Sequence, residues 1–245
     1  MRKSILKQWG TKLKFYDIKK VFAKGNSTNV RALPNTEAKV IASATKKIGY
    51  SYKNTTPTHN GRKWFIVDVN GTDGYIREDV GELIEEKVNG KKLKYLIIHC
   101  TATPEGRKVT KDDIIRWHTS PVSKGGRGWS VVGYSRMIDL DGNLIKMHDY
   151  NENDIVEPWE VTNGASGVNS VSRHIVYVGG TDLKGKAKDT RTNAQKETLK
   201  QYVLDIVKRY PNIKVAGHYH FASKACPSFN VEEWCKEIGV FNRIC

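Results

Sequence analysis

The run Tyr95-Leu96-Ile97-Ile98-His99-Cys100 is the stretch of this 245-residue chain that decides its fold. Its continuous apolar residues, 95–98, predict a strand that is buried on both faces, as in a sheet covered by helices. His99 stands where the predicted strand ends. Cys100 follows it directly, so the two side chains point to opposite faces of the sheet. The run therefore predicts a histidine at one rim of a buried sheet and a small buried thiol beside it.

Apolar periodicity, capping residues and turn residues predict the elements that follow this strand. The predicted helices begin at Thr110, Thr192 and Asn230, a hairpin turns at Asp141-Gly142, and further strands cover 174–180 and 213–216. Strands that alternate with helices in this way indicate an α/β domain. We therefore predict a mixed central sheet flanked by helices over residues 93–245.

Residues 16–86 have a different pattern, in which short strands are separated by turn residues. Strands are predicted at 21–23, 29–32, 39–42, 64–69 and 74–77. They favour a small β-barrel of about five or six strands. Their order resembles that of bacterial SH3-like domains, which implies a cell-wall-binding or peptide-binding module attached to a catalytic partner. The polar insert 49–57 is expected to be a loop, either one that binds ligand or a tolerated insertion.

The charge of the chain is strongly positive and unevenly distributed. Its formal net charge is +15, and residues 1–24 hold eight lysines and arginines against one aspartate. A basic arm over residues 1–15 favours a polyanionic partner such as nucleic acid, an acidic membrane or an anionic cell envelope, and a merely solvated tail is the alternative. The charged run 87–92 is the predicted linker between the two domains.

Several classes of protein are excluded by composition. The apolar stretches are too short to span a bilayer, and the basic start lacks the apolar region of a signal peptide. We therefore expect synthesis in the cytoplasm without a leader. Four cysteines in a chain of this length do not resemble a disulfide framework.

A second chemistry-bearing run follows the strand predicted at 213–216. His218 stands just after that strand, and Cys226 lies within a loop that can fold back toward it. Sheet ends bring distant residues to one rim, so His99, His218 and Cys226 are candidates to meet there. Two imidazoles and a thiolate suit zinc and leave a fourth position for water. From residue types alone the alternative stays open that His218 packs structurally and Cys226 is a buried thiol.

Several runs of the chain together resemble N-acetylmuramoyl-L-alanine amidases of the phage-lysozyme branch, which share their fold with peptidoglycan recognition proteins. The runs are Ile98-His99-Cys100-Thr101-Ala102-Thr103, Val132-Gly133-Tyr134, Val178-Gly179-Gly180, Gly217-His218 and Lys224-Ala225-Cys226-Pro227-Ser228-Phe229. The resemblance implies one catalytic zinc ion held by His99, His218 and Cys226. It also implies that Tyr134 acts near the zinc-bound water and that Lys224 stabilises the oxyanion.

The same resemblance implies a function. The expected reaction is hydrolysis of the amide between N-acetylmuramic acid and L-alanine in peptidoglycan, by a phage or prophage endolysin that reaches the wall after release by a holin. A peptidoglycan-binding protein without catalysis is the rival, and nucleic-acid binding through the arm is less favoured. Relatives often have a histidine where this chain has Ser135, a departure expected to alter local hydrogen bonding and not metal binding. The sequence suggests no partner for His174.

Overall fold

The N-terminal part of the chain is an antiparallel sheet. A computed structural model describes residues 14–58, 61–241 and 245. Seven strands come first: β1 (Lys14–Ala23), β2 (Ser27–Arg31), β3 (Val40–Thr45), β4 (Tyr50–Thr55), β5 (Trp64–Val69), β6 (Thr72–Arg77) and β7 (Gly81–Lys92). They lie in the order β7-β1-β4-β5-β6-β2-β3. Their apolar side chains, among them Val21, Val67 and Ile76, form one buried cluster.

Two segments that were predicted to lie outside strands belong to this sheet. The predicted loop 49–57 is wrong over Tyr50–Thr55, because β4 pairs with both β1 and β5 and its tyrosines pack against the apolar cluster. The predicted linker 87–92 is the end of β7, where Val88 is buried opposite Tyr16 while most of its charged neighbours face solvent. Charged side chains on the solvated face of a strand stay hydrated, so the end of β7 is rich in charge and resembles a linker in the sequence.

The other N-terminal predictions concern a closed barrel, the basic arm and the domain limits. In the part of the chain that the structure describes, the strands follow one open order, so a closed SH3-like barrel stays a prediction. The basic arm, residues 1–15, lies outside the described residues except for its last two positions, which begin β1. The domain limits at 16, 86 and 93 are likewise predictions.

The C-terminal part is the predicted mixed sheet with helices on both faces. Its elements are β8 (Tyr95–Cys100), β9 (Thr103–Pro104), α1 (Lys111–Thr119), β10 (Arg136–Ile138), β11 (Leu144–Lys146), β12 (Ile155–Val156), β13 (Ser172–Tyr177), β14 (Gly180–Thr181), α2 (Asn193–Arg209), β15 (Lys214–Gly217) and α3 (Val231–Glu237). The central sheet has the order β11-β10-β13-β8-β15. Only the β10–β11 hairpin is antiparallel, so the sheet is mixed, as predicted.

Alternation along the central strands separates two apolar layers. Ile98 of β8 packs with α2 and α3 on one face, whereas Val176 of β13 packs with Ile114 of α1 on the other. The helix starts predicted at Thr110, Thr192 and Asn230 are confirmed: Thr110 and Thr192 form capping boxes at the start of α1 and α2, and Asn230 caps α3. Among the described residues, none of these helices has the length and apolar character needed to cross a membrane.

The two parts of the chain meet along a polar seam. Strand β12 pairs with the end of β7 and so extends the N-terminal sheet into the C-terminal part. At the end of α2, Arg209 donates hydrogen bonds to Glu152 and to the Asn70 side chain, and its guanidinium lies 3.8 Å from the carboxylate of Asp68. The backbone ladder and the contacts of Arg209 with Asn70 and Asp68 hold the N-terminal sheet against the C-terminal domain.

Candidate metal centre

Two histidines meet at one rim of the central sheet. His99 is next to the last residue of β8, and His218 follows β15 directly. These strands are parallel neighbours, so both side chains are delivered to the same end of the sheet. The Nδ1 atoms of His99 and His218 lie 3.2 Å apart. The rim therefore brings together two ring nitrogens that are distant in the sequence.

The loop after His218 returns Cys226 to the same place. The backbone N–H of Tyr219 donates to the Cys226 carbonyl at 3.0 Å, which closes the loop. The Cys226 Sγ then lies 3.8 Å from His99 Nδ1 and accepts a hydrogen bond from the Cys100 N–H at 3.3 Å. One nitrogen from each histidine and the Cys226 sulfur all lie within 4.8 Å of one another.

Two of the separations among these three atoms are close to those of a tetrahedral zinc site. Ideal tetrahedral zinc places two nitrogen ligands about 3.3 Å apart and a nitrogen and a sulfur about 3.6 Å apart. The corresponding separations here are 3.2 Å and 3.8 Å. The donor set, two imidazoles and a thiol, is one that zinc prefers, and three protein ligands leave a fourth position open. The ligand roles that the sequence predicts are consistent with this geometry and stay a prediction.

Burial keeps the imidazoles neutral, which is the state that can ligate a metal. Burial, followed by the neighbouring His174, His218 and Lys224, holds the pKa of His99 well below its usual value. Burial and then Lys224 lower the pKa of His218. The pKa of the Cys226 thiol is raised, first by its hydrogen bond with Cys100 and then by burial. A divalent cation would supply the positive charge that a thiolate needs at this position.

Tyr134 lies beside the predicted ligands. Its ring centroid is 5.1 Å from that of His99 and 5.2 Å from that of His118. Burial raises the pKa of Tyr134, so the phenol is a neutral hydrogen-bond donor at neutral pH. Among the residues that the structure describes, none hydrogen-bonds its hydroxyl group, which leaves that group available to a water or a substrate.

Lys224 stands on the loop between His218 and Cys226. Its side chain is exposed, and its positive charge is the second cause, after burial, of the lowered pKa of His218. The ammonium group is therefore close enough to the histidines to act on them electrostatically while it remains in contact with solvent. A cation in this position can stabilise negative charge that develops next to the ligands.

His174 is a residue of the site that the sequence analysis missed. It lies on β13, fully buried, and its Nδ1 is 3.0 Å from the Nε2 of His99. Ser135 donates from its backbone N–H and from Oγ to the His174 carbonyl, at 2.9 and 2.8 Å. One signal was present in the sequence: a histidine in a strand that is otherwise apolar from Ile175 to Val178.

Two further histidines near the site face other partners. His118 accepts a hydrogen bond from the Gly133 N–H at 3.1 Å, and burial lowers its pKa to about 4. His220 bonds Glu232 of α3 at 2.9 Å and so ties the turn after β15 to that helix. These contacts give His118 and His220 packing and support roles outside the candidate ligand set.

Comparison with known proteins identifies relatives for the C-terminal part. The model of the family described as N-acetylmuramoyl-L-alanine amidase matches residues 89–229. The endolysin of Escherichia phage T7 is 31% identical over 139 residues, which cover 57% of this chain and 83% of that protein. The endolysin of Klebsiella phage KP32 is 30% identical over 59% of this chain and 86% of that protein. A solved structure, the Ph2119 endolysin from Thermus scotoductus MAT2119 bacteriophage Ph2119, is similar over 62% of this chain and 88% of that chain, with 24% identity and a TM-score of 0.46.

Proposed function

The chain belongs to the N-acetylmuramoyl-L-alanine amidase family, and on that premise we propose that it is a zinc-dependent phage endolysin. Its reaction is hydrolysis of the amide between N-acetylmuramic acid and L-alanine of the peptidoglycan stem peptide. The observation that carries the zinc dependence is the convergence of His99, His218 and Cys226 at one rim of the sheet, with ligand atoms within 4.8 Å of one another.

The residues around this rim have different roles in the proposed reaction. His99, His218 and Cys226 would hold the zinc ion, which when bound acts as a Lewis acid toward a carbonyl oxygen and lowers the pKa of water to about 7. Tyr134, a neutral phenol next to His99, orients the attacking water through its hydroxyl group. Lys224 supplies positive charge to the oxygen on which negative charge develops.

The wider functional proposal concerns how the enzyme meets its substrate. We propose that residues 16–86 are an SH3-like domain that binds the cell wall, and that the basic arm adds affinity for the anionic envelope. Action on the cell wall after release is consistent with the endolysin relatives. Deleting residues 1–14 and measuring binding to purified walls and to DNA tests the arm. Loss of DNA binding with wall binding unchanged would contradict the proposed role.

Dye release from purified, dye-labelled peptidoglycan tests the reaction and its metal dependence. We expect release to stop after dialysis against a chelator and to return on addition of zinc. The products should carry new amino groups on L-alanine without new reducing sugar ends. Binding to the wall without any release would favour the non-catalytic rival, and release that is insensitive to metal removal would refute zinc dependence.

Replacing Tyr134 with phenylalanine is expected to lower kcat about 10- to 100-fold while zinc content stays that of the wild type. The substitution removes only the hydroxyl group, because the ring that packs against His99 and His118 is retained. General acid–base groups contribute on the order of 10²–10⁴-fold, and a residue that only orients water falls at or below the lower end of this range. The measurement is initial-rate dye release with metal analysis of the same sample. An unchanged kcat would assign Tyr134 to packing alone.

Replacing Lys224 with alanine is expected to lower kcat about 100-fold, the scale of losing one donor to a developing oxyanion. Lys224→Arg is the matched variant, since it keeps a cation on the same loop and should retain most of the rate. Because Lys224 is exposed, neither substitution should disturb folding. Equal rates for Lys224→Ala and the wild type would show that the charge takes no part in the reaction.

A further inference from the structure

In the described part of the chain, His174 is the buried histidine that contacts a proposed zinc ligand, His99, on the side away from the metal position. Its Nδ1 lies 3.0 Å from His99 Nε2, the ring nitrogen that faces away from His218 and Cys226. His99 thus has one nitrogen directed at the candidate metal position and the other at His174. The geometry assigns His174 the role of a positioning residue: its Nδ1 accepts a hydrogen bond from the Nε2–H of His99, which leaves Nδ1 of His99 free to bind zinc. This inference rests on the proposed function.

The role of His174 depends on which nitrogen of His99 carries the proton. A neutral imidazole has one N–H and one lone pair, and only the lone pair can bind a metal. If His99 Nδ1 is to ligate, its proton must sit on Nε2 and must be donated to an acceptor. In the opposite arrangement, His174 would donate to His99 Nε2, and the His99 proton would then face His218 and block the ligand position.

The surroundings fix His174 for this contact. Ser135 holds the His174 carbonyl with two hydrogen bonds, one from its backbone and one from its hydroxyl. Gly164 leaves room for the ring, since a Cβ atom at position 164 would lie 2.4 Å from His174 Nδ1. Ser135 therefore fixes the backbone of His174, and Gly164 provides the space that the Nδ1 side of its ring needs.

Packing alone does not account for a histidine at position 174. The residue is fully buried, and its Nε2 has no hydrogen-bond partner among the described residues. A buried polar atom without a partner costs stability, so an apolar side chain of similar shape would serve the fold better. The contact with His99 is the interaction that only a side chain with a hydrogen-bonding atom at this place can make.

A positioning role and a packing role for His174 predict different zinc affinities. Zinc affinity can be measured by competition with a chromophoric chelator on the full chain. His174→Leu and His174→Asn have nearly the same shape, but only asparagine can place an acceptor where Nδ1 lies. We expect His174→Leu to weaken zinc binding about 10- to 100-fold, the usual effect of losing a partner of a ligand. His174→Asn should stay within about threefold of the wild type. Absorption of the cobalt-substituted protein should change in the leucine variant and not in the asparagine variant.

His118→Asn is the control, because it alters another buried imidazole that makes no hydrogen bond to His99. Its zinc affinity should match that of the wild type, and thermal melting of the metal-free proteins identifies any variant that fails to fold. Equal zinc affinity of His174→Leu and the wild type would overturn the inference. So would an equal loss in the leucine and asparagine variants. A wild-type protein that binds no zinc would instead refute the proposed function, and this inference with it.

Discussion

Replacing His218 with alanine is expected to abolish zinc binding and to reduce dye release by more than about 10³-fold. Zinc sites that catalyse hydrolysis use three protein ligands, and two ligands with open coordination hold the ion too weakly. Lewis-acid stabilisation is worth several kcal/mol, and each 1.4 kcal/mol corresponds to a factor of about ten in rate. Metal analysis of the purified protein and initial rates on the same sample measure both effects.

The chain supplies a matched control for this experiment in the same turn. His220 lies two residues after His218, but its ring bonds Glu232 at 2.9 Å and faces α3. We therefore expect His220→Ala to retain about one zinc ion per chain. Cys226→Ala and Cys235→Ala form a second pair, because Cys235 is a fully buried thiol within the apolar layer. Zinc contents that are equal in His218→Ala and His220→Ala would remove His218 from the ligand set.

The candidate site was partly predictable from the sequence because two of its members lie at the ends of buried strands. Runs of apolar residues located the strands that deliver His99 and His218, and parallel strands end at one rim whatever their order. Cys226 was different. It lies on a loop whose path no periodicity predicts, so the residues alone made it only one candidate to meet the histidines, and the resemblance to a family implied its role as a ligand.

The contact of His174 with His99 could not be predicted from the sequence, for a physical reason. That contact depends on β13 being the neighbour of β8, with His174 opposite Ile97 and Val176 opposite His99. Strand order and register in a parallel sheet depend on crossover connections, which a single sequence does not specify. The wrong predictions for the N-terminal sheet have a different cause. In β4 and the end of β7, polar residues occupy solvated faces, so the apolar pattern that marks a strand is weak there.

Replacing Glu160 with alanine is expected to lower the free energy of unfolding by about 3–5 kcal/mol, the cost of leaving one member of a buried ion pair without its partner. Glu160 accepts a hydrogen bond from Arg173 at 3.0 Å, and the two side chains are 0% and 1% exposed. Its carboxylate also accepts the backbone N–H groups of Asn151 and Glu157. Arg173 lies over the ring of Tyr150, with 4.2 Å between the guanidinium carbon and the ring centroid. Removing the carboxylate would therefore leave a buried guanidinium without its counter-ion and two backbone N–H groups without their acceptor.

Urea denaturation followed by circular dichroism measures this loss, with Asp154→Ala as the control. Asp154 pairs with Lys92 at 2.7 Å, but both side chains are about half exposed, so its removal should cost about 0–1 kcal/mol. A loss below 1 kcal/mol for Glu160→Ala would mean that the pair is not buried as the structure has it. Arg173 immediately precedes His174 on β13, so a shift of this strand in Glu160→Ala would also weaken zinc binding. Unchanged zinc affinity in a destabilised Glu160→Ala variant would show that loss of the ion pair does not move His174.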